Sequence, residues 1–503
     1  MANNEFGDFQ TPLPLAQRCL EVLGFPTDTP AQVLEPTCGV GSFLHAAQTL
    51  NPQSDRYGLE INEDYVKQAQ QFANVRQTNI FTFDLRGLEW NDTPVFVIGN
   101  PPWVTASELQ RMGSENLPKK ENFKGVRGID AMLGGSNFDV CEYIILKCLN
   151  ELSSDKFTLG MLCKTQVARN VLVQAHKVGI PLSSSAIYPI DAIKHFGAAV
   201  DACWFTAVVD PQTPASYVAD IYTSIDDTAE AVRRFGIVDG VLVSDVDAYV
   251  DTKAGDGTCP FEWRSGLKHD ASKVFELKAT PAPITKDGEP VDVEDKHLFP
   301  LLKGTDIFRG RHTVLSKWVI VPQMHFGEET KHLEHTAPKL WEYLTKHAEA
   351  LDGRKSSIYR NRPRFSVFGH GEYTFAPFKV ACSGMHKDAK FQLIAPIEGK
   401  PVVLDDISYF LPFEDGTEAA MATAILRSHE CQKLISSLVF WDSKRPLNKK
   451  LLARIDLFNL PCDRDEIHLV AQEIAAEAGI AFDPAKAESF YPDEAGADEG
   501  MLF

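Results

Sequence analysis

Two consecutive prolines directly behind an unbroken apolar run fix the end of a buried strand at Val95-Phe96-Val97-Ile98-Gly99-Asn100-Pro101-Pro102-Trp103. Proline donates no backbone hydrogen bond and locks φ, so the ladder must stop at Asn100. The run has no polar alternation, the pattern of a strand covered on both faces by helices. The rest of the first 210 residues continues that theme. Strands are expected at residues 32–35, 56–60, 157–162 and 202–209, and helices at residues 42–49, 63–73 and 138–152. Such alternation predicts an α/β domain on a mostly parallel, doubly wound sheet. Ligands of such sheets sit beyond the carboxyl ends of the strands.

Those strand ends carry the chemistry. Glu35-Pro36-Thr37-Cys38-Gly39-Val40-Gly41 follows the first strand and opens a helix; its glycines let backbone approach a ligand closely. Glu60 ends the next strand, 21 residues after Gly39, where a carboxylate can accept from both hydroxyls of a ribose. Asp84, in Phe83-Asp84-Leu85, is expected at the end of a third strand, facing an adenine amine, with a helix N-cap as its alternative role. After the fourth strand, Asn100 offers a side-chain oxygen, the prolines leave carbonyls free, and Trp103 offers a flat face.

This ordered set resembles the S-adenosylmethionine-dependent DNA adenine-N6 methyltransferases of the gamma arrangement, with cofactor motifs first, the catalytic motif next and target recognition last. The resemblance implies a Rossmann-like methyltransferase sheet followed by an α+β target-recognition domain. Residues 6–12 (Phe-Gly-Asp-Phe-Gln-Thr-Pro) match the segment that closes over the methionine part of the cofactor, which brings in Thr11 and Pro12. Glu35, Thr37, Gly39 and Gly41 match the first cofactor motif, Glu60 the ribose acid, and Asp84 the adenine contact. Asn100, Pro101, Pro102 and Trp103 match the catalytic motif, with Trp in place of the commoner Tyr; Asn100 also borders the cofactor. Asp139 falls in the following motif, and Phe196 in a later one whose ring packs, with Trp103, against an extruded base. The implied reaction is methylation of the exocyclic amine of a flipped adenine in double-stranded DNA, in restriction-modification or phage defence. The same chemistry on an RNA adenine or a protein glutamine is the alternative. A cofactor-sensing module of a defence complex is a further one, disfavoured by the intact Asn-Pro-Pro-Trp.

The formal net charge is −19, which excludes binding to nucleic acid through bulk positive charge. A local strip must do that work. Residues 354–460 hold 16 Lys and Arg against 11 Asp and Glu, while residues 461–503 hold 2 against 11. Within the basic stretch, cations alternate with aromatics, so Arg354, Lys355, Arg360, Arg362, Arg364, Lys444 and Arg445 are the expected phosphate contacts. The expected division is a catalytic domain at residues 1–225, a connecting segment at 226–289, a target-recognition domain at 290–465 and an acidic helix and tail at 466–503.

The remaining signals point to plain structural roles. Ten cysteines without CxxC spacing read as single thiols rather than a disulfide or zinc framework. Asp405-Asp406 reads as a strand end rather than a metal pair, and His269-Asp270 as a hydrogen-bonding or phosphate-contacting pair. No metal is expected. No apolar run spans a bilayer, and no signal peptide is visible, so a bacterial cytoplasmic protein without membrane association is expected. The methyltransferase motifs begin almost at Met1, leaving no room for a fused nuclease; the expected partner, besides DNA, is a separate restriction nuclease or defence-system subunit.

Overall fold

The computed structural model describes residues 9–105, 107–108, 139–441 and 445–492. The chain forms two compact units, Met1–Asp247 and Ala248–Phe503. Among the described residues, no helix is long and apolar enough to cross a membrane.

The first unit contains α1 (Leu13–Leu23), β1 (Gln32–Glu35), α2 (Ser42–Leu50), β2 (Asp55–Glu60), α3 (Glu63–Ala69), β3 (Asn74–Gln77), β4 (Val95–Gly99), α4 (Val140–Glu151), β5 (Phe157–Lys164), α5 (Thr165–Val178), β6 (Leu182–Ile190), α6 (Ala192–Phe196), β7 (Ala202–Val209), β8 (Val218–Ile221), β9 (Arg233–Val238) and β10 (Val241–Val243). Its sheet runs in the order β10-β9-β8-β6-β7-β5-β4-β1-β2-β3. The five strands β3, β2, β1, β4 and β5 are parallel, and β7 lies antiparallel between β5 and β6. Every residue of β1 and β4 is buried, as the apolar run required. Strand order reverses between β1 and β4, so the chain leaves them in opposite directions and opens a crevice beyond their carboxyl ends.

This Rossmann-like architecture is the expected α/β fold, extended at one edge. Residues 226–247, expected to begin a connecting segment, supply β9 and β10 of the same sheet. A third strand ending at Asp84 does not occur: β3 ends at Gln77, because Asn79 folds the next residues into a turn, its backbone oxygen accepting from Thr82 and Phe83.

The second unit is α+β, as expected. Its strands are β11 (Arg264–Ser265), β12 (Glu276–Lys278), β13 (Leu298–Leu302), β14 (Lys317–Ile320), β15 (Phe378–Ser383), β16 (Gln392–Ile394), β17 (Val403–Leu404) and β18 (Ser408–Phe413). They form two four-stranded sheets, β11-β18-β15-β16 and β12-β14-β13-β17. Its helices include α7 (Gly304–Phe308), α8 (Gly416–Arg427) and α9 (Arg464–Glu477). Phe275, Trp318, Val319, Leu340 and Phe365 belong to its main apolar core. Most of α9 lies in the segment expected as an acidic helix and tail; it buries Ile467, Ala471, Ile474 and Ala475.

Candidate active site

The turn after β1 is shaped for close approach by a ligand. Gly39 and Gly41 both hold positive φ, 52° and 86°. A Cβ on Gly41 would lie 2.9 Å from the Cβ of Ala69, and one on Gly39 would lie 2.8 Å from Oε1 of Gln10. Positive φ favours glycine at both positions, and at Gly41 the close Ala69 leaves no space for a side chain. Glu60, at the end of β2, braces this turn: its Oε2 accepts from the Gly39 amide at 2.9 Å and its Oε1 from the Asn62 amide at 2.8 Å. The acid expected to face a ribose is thus held beside the glycine turn.

Glu35 ends β1 against Gly99, which ends β4. Its side chain is buried and Oε2 has no hydrogen-bond partner. Burial pushes its carboxyl well above the usual carboxylate range, with the nearby Glu60 adding to the rise and a backbone hydrogen bond from Leu44 opposing it. Oγ1 of Thr37 is likewise buried and unpartnered. Buried polar oxygens without partners are uncommon and mark places where a polar ligand group would be accepted.

Asn100 shows the clearest asymmetry. Its Nδ2 donates to the Phe9 carbonyl at 2.8 Å and to Oγ1 of Thr11 at 3.2 Å. Its Oδ1 is buried with no partner. Both acceptors come from the segment leading into α1, in which Pro12 occupies the N-cap. An amide whose nitrogen is satisfied twice has one orientation, and that orientation presents an acceptor. Behind it, Pro101 is buried and Trp103 is fixed edge-on, its Nε1 donating to the Leu162 carbonyl at 3.3 Å. Phe9, Trp103 and Phe196 pack as a trio, with Trp103–Phe196 centroids at 5.2 Å and Phe9–Trp103 at 5.6 Å. Residues 103 and 196, far apart in sequence, therefore share one aromatic wall. Asp139 caps α4 and pairs with Lys164 at 3.0 Å.

Asp84 lies elsewhere. It caps the short turn Leu85–Gly87 and its carboxylate grips the Arg86 guanidinium at 2.8 and 3.0 Å, on the exposed surface. Hydrogen bonds from the Arg86 side chain hold its pKa down. Two residues past the carboxyl end of β3 is Asn79, whose Oδ1 accepts from the Phe81 amide at 3.0 Å. Phe9 and Gln10 belong to the matched segment of residues 6–12, whereas the motif spacing did not single out Asn79. Asn79 stands two residues beyond β3, a position that a shorter third strand would have identified.

No family model matches the sequence. The Type II methyltransferase M.NspV of Nostoc sp. (strain ATCC 29411 / PCC 7524) is 39% identical over 465 residues, covering 90% of this chain and 96% of that protein. The chain belongs to the Type II methyltransferases. A second member, M.CvrRI of Paramecium bursaria Chlorella virus XZ-6E, is 24% identical over 161 residues, covering 32% of this chain and 37% of its own. Among solved structures, the Type IIL restriction-modification enzyme MmeI in complex with DNA matches with a TM-score of 0.47 at 12% identity, over 96% of this chain and 68% of that one.

As a Type II methyltransferase, the chain is a DNA methyltransferase and uses S-adenosylmethionine. The residues present fit that cofactor: a glycine turn with no room for a Cβ, a bracing carboxylate, and buried unpartnered oxygens on Glu35 and Thr37. The cations expected on DNA divide into groups. Arg354 is committed to the fold: its guanidinium donates to the carbonyls of Leu351, His269 and Ser366 and lies over the Tyr359 ring at 3.7 Å. Arg364 pairs with Asp352 at 2.8 Å. Lys355, Arg360, Arg362 and Arg445 are exposed, and Lys444 lies outside the described residues. His269 accepts from the Ala271 amide through Nδ1 and faces Glu276 through Nε2 at 3.4 Å, a structural role. Oδ1 of Asp405 accepts from the Gly304 amide and the Ser408 hydroxyl.

Proposed function

We propose that this Type II methyltransferase acts on the exocyclic N6 of adenine, in the gamma arrangement, and does so on a base rotated out of the duplex. The observation that carries this reading is Oδ1 of Asn100, buried and unpartnered beside two prolines, with its amide nitrogen already satisfied. An aromatic amine has its lone pair delocalised into the ring and is a weak nucleophile. The Asn100 oxygen and the Pro101 carbonyl accept its two hydrogens, draw the nitrogen toward tetrahedral geometry and stabilise the positive charge that grows on it. Bound S-adenosylmethionine supplies the electrophilic methyl group. Thr37 and Glu35 border the methionine end, Glu60 receives the ribose, and Asn79, in place of Asp84, stands at the adenine end. The wall of Trp103 and Phe196 offers a stacking surface for the extruded purine. Exposed Lys355, Arg360, Arg362 and Arg445 contribute phosphate contacts, and a separate restriction nuclease is the partner that such an enzyme would protect DNA against.

The test is substitution of the acceptor. Asn100→Ala lowers methyl transfer to DNA by about 100-fold or more while leaving cofactor affinity within a few-fold of wild type. Transfer at the wild-type rate in that variant would remove Asn100 from the chemistry.

A further inference from the structure

The second unit carries a basic groove that the charge pattern of the sequence does not reveal. Its two sides come from residues 309–312, just past α7, and from residues 386–392, leading into β16. A cavity of about 550 Å³ between them is lined by Phe308, Arg309, Gly310, Arg311, Lys390 and Gln392. Gln392 also lines an adjoining cavity of about 870 Å³, where His312 and Arg427 are matched by the carboxylates Glu398 and Glu477, so the excess of cations is confined to the first cavity. Arg309, Arg311, Lys387 and Lys390 are exposed. Neither Arg309 nor Arg311 pairs with a carboxylate among the described residues, and Lys390 is only loosely matched by Asp388 at 3.7 Å.

The groove is also braced. Phe308 and His386 stack at 3.9 Å with an interplanar angle of 9°, and Lys390 lies 4.7 Å from the Phe308 centroid. Nδ1 of His386 bonds to Ser383 Oγ at 2.7 Å. Positive φ at Gly310, 69°, turns Arg309 and Arg311 onto successive positions of the rim. Further along, Nδ1 of His312 is buried without a partner. In a chain of net charge −19, two arginines without a carboxylate partner among the described residues, facing a loosely paired lysine across a groove, are a local exception.

We infer that this groove grips the phosphate backbone of duplex DNA, with Arg309, Arg311, Lys387 and Lys390 as the contacts. The inference rests on the reading of the chain as a DNA methyltransferase and adds a surface to it. Arg354 and Arg364 are spent on carbonyls and on Asp352; Arg309 and Arg311 are not. Such contacts are sequence-independent and release counterions, so they appear in the salt dependence of binding.

The experiment measures binding of the full chain to a random-sequence duplex across a range of salt concentrations. It compares wild type with a variant carrying Arg309→Gln, Arg311→Gln, Lys387→Gln and Lys390→Gln. The thermal unfolding profile of the full chain, compared with wild type, is the check that the second unit folds, and S-adenosylmethionine affinity is the check on the first. The variant is expected to bind at least about tenfold more weakly at low salt, with a log–log salt slope shallower by about 3 to 4. Arg309→Gln with Arg311→Gln alone gives about half that change in slope, which keeps the inference testable should the fourfold variant fold poorly. Wild-type affinity and slope in a variant that binds cofactor normally would overturn the inference and leave the DNA reading intact. A wild-type protein that neither binds nor methylates any duplex would instead overturn the DNA reading itself.

Discussion

At the scale of single residues, the site depends on which atoms are already satisfied. Thr11 never touches the reacting nitrogen in this scheme; it holds the Asn100 amide so that the buried Oδ1 is left as the free acceptor. Thr11→Val removes one of two anchoring hydrogen bonds and is expected to lower kcat by about three- to tenfold with little change in cofactor affinity. Equal loss in cofactor affinity and none in kcat would contradict that role. Glu35 makes a pH prediction. Burial raises its pKa, so the free protein keeps it protonated into a range where an ordinary carboxylate is charged. A cationic cofactor favours the charged form, so binding expels the proton. Affinity for S-adenosylmethionine therefore rises with pH until the raised pKa is passed, and Glu35→Gln flattens that rise. A flat wild-type profile by calorimetric titration would contradict it. Glu35, Gly39, Glu60, Asn100 and Trp103 were all legible in the sequence because each lies within a few residues of a strand end. Asp84 was misplaced because an Asx turn at Asn79 ends β3 early, and short polar turns compete with strands without any periodic signal.

At the scale of elements, the parallel strands β1, β2, β4 and β5 were legible in the sequence, while β3, β6, β9 and β10 were not. Those strands lie away from the fully buried centre of the sheet, and each mixes buried with partly or fully exposed residues instead of forming an apolar run. Long-range clasps were equally hidden. Arg354 reaches the His269 carbonyl, 85 residues away, and no local pattern announces a guanidinium spent on backbone. Glu276, at the start of β12, gathers His269, Lys303 and Lys317 around one mostly buried carboxylate. Burial alone would raise its pKa, but hydrogen bonds and charge from His269 and Lys303 outweigh it and bring the value to about 2. A carboxylate with a lowered folded pKa stabilises above its unfolded pKa and loses that contribution as pH falls through the folded one. Glu276→Gln is therefore expected to destabilise the second unit by about 2 kcal/mol at neutral pH, after discounting for the partly exposed lysines. The gap should close between the ordinary carboxylate range and pH 2 in denaturant titrations; a gap independent of pH would place the stabilisation outside this cluster.

At the scale of the whole molecule, a strongly acidic chain meets a polyanion. The net charge of −19 leaves attraction to local surfaces, and the two proposed for that role both lie in the second unit, one around Arg360 and Arg362 and one where residues 309 and 390 line a common groove. The candidate site of the first unit lies at the reversal of strand order between β1 and β4, whose neighbouring ends carry Glu35 and Asn100, 65 positions apart in sequence. The substrate atom is the point on which everything else turns. Duplex DNA incubated with the protein and methyl-labelled S-adenosylmethionine, then digested to nucleosides and resolved by mass spectrometry, identifies that atom directly. Label is expected in N6-methyladenine, reduced at least about 100-fold by Asn100→Ala. Label in a methylated cytosine, with adenine unmodified, would contradict the assignment of Asn100 to an adenine amine.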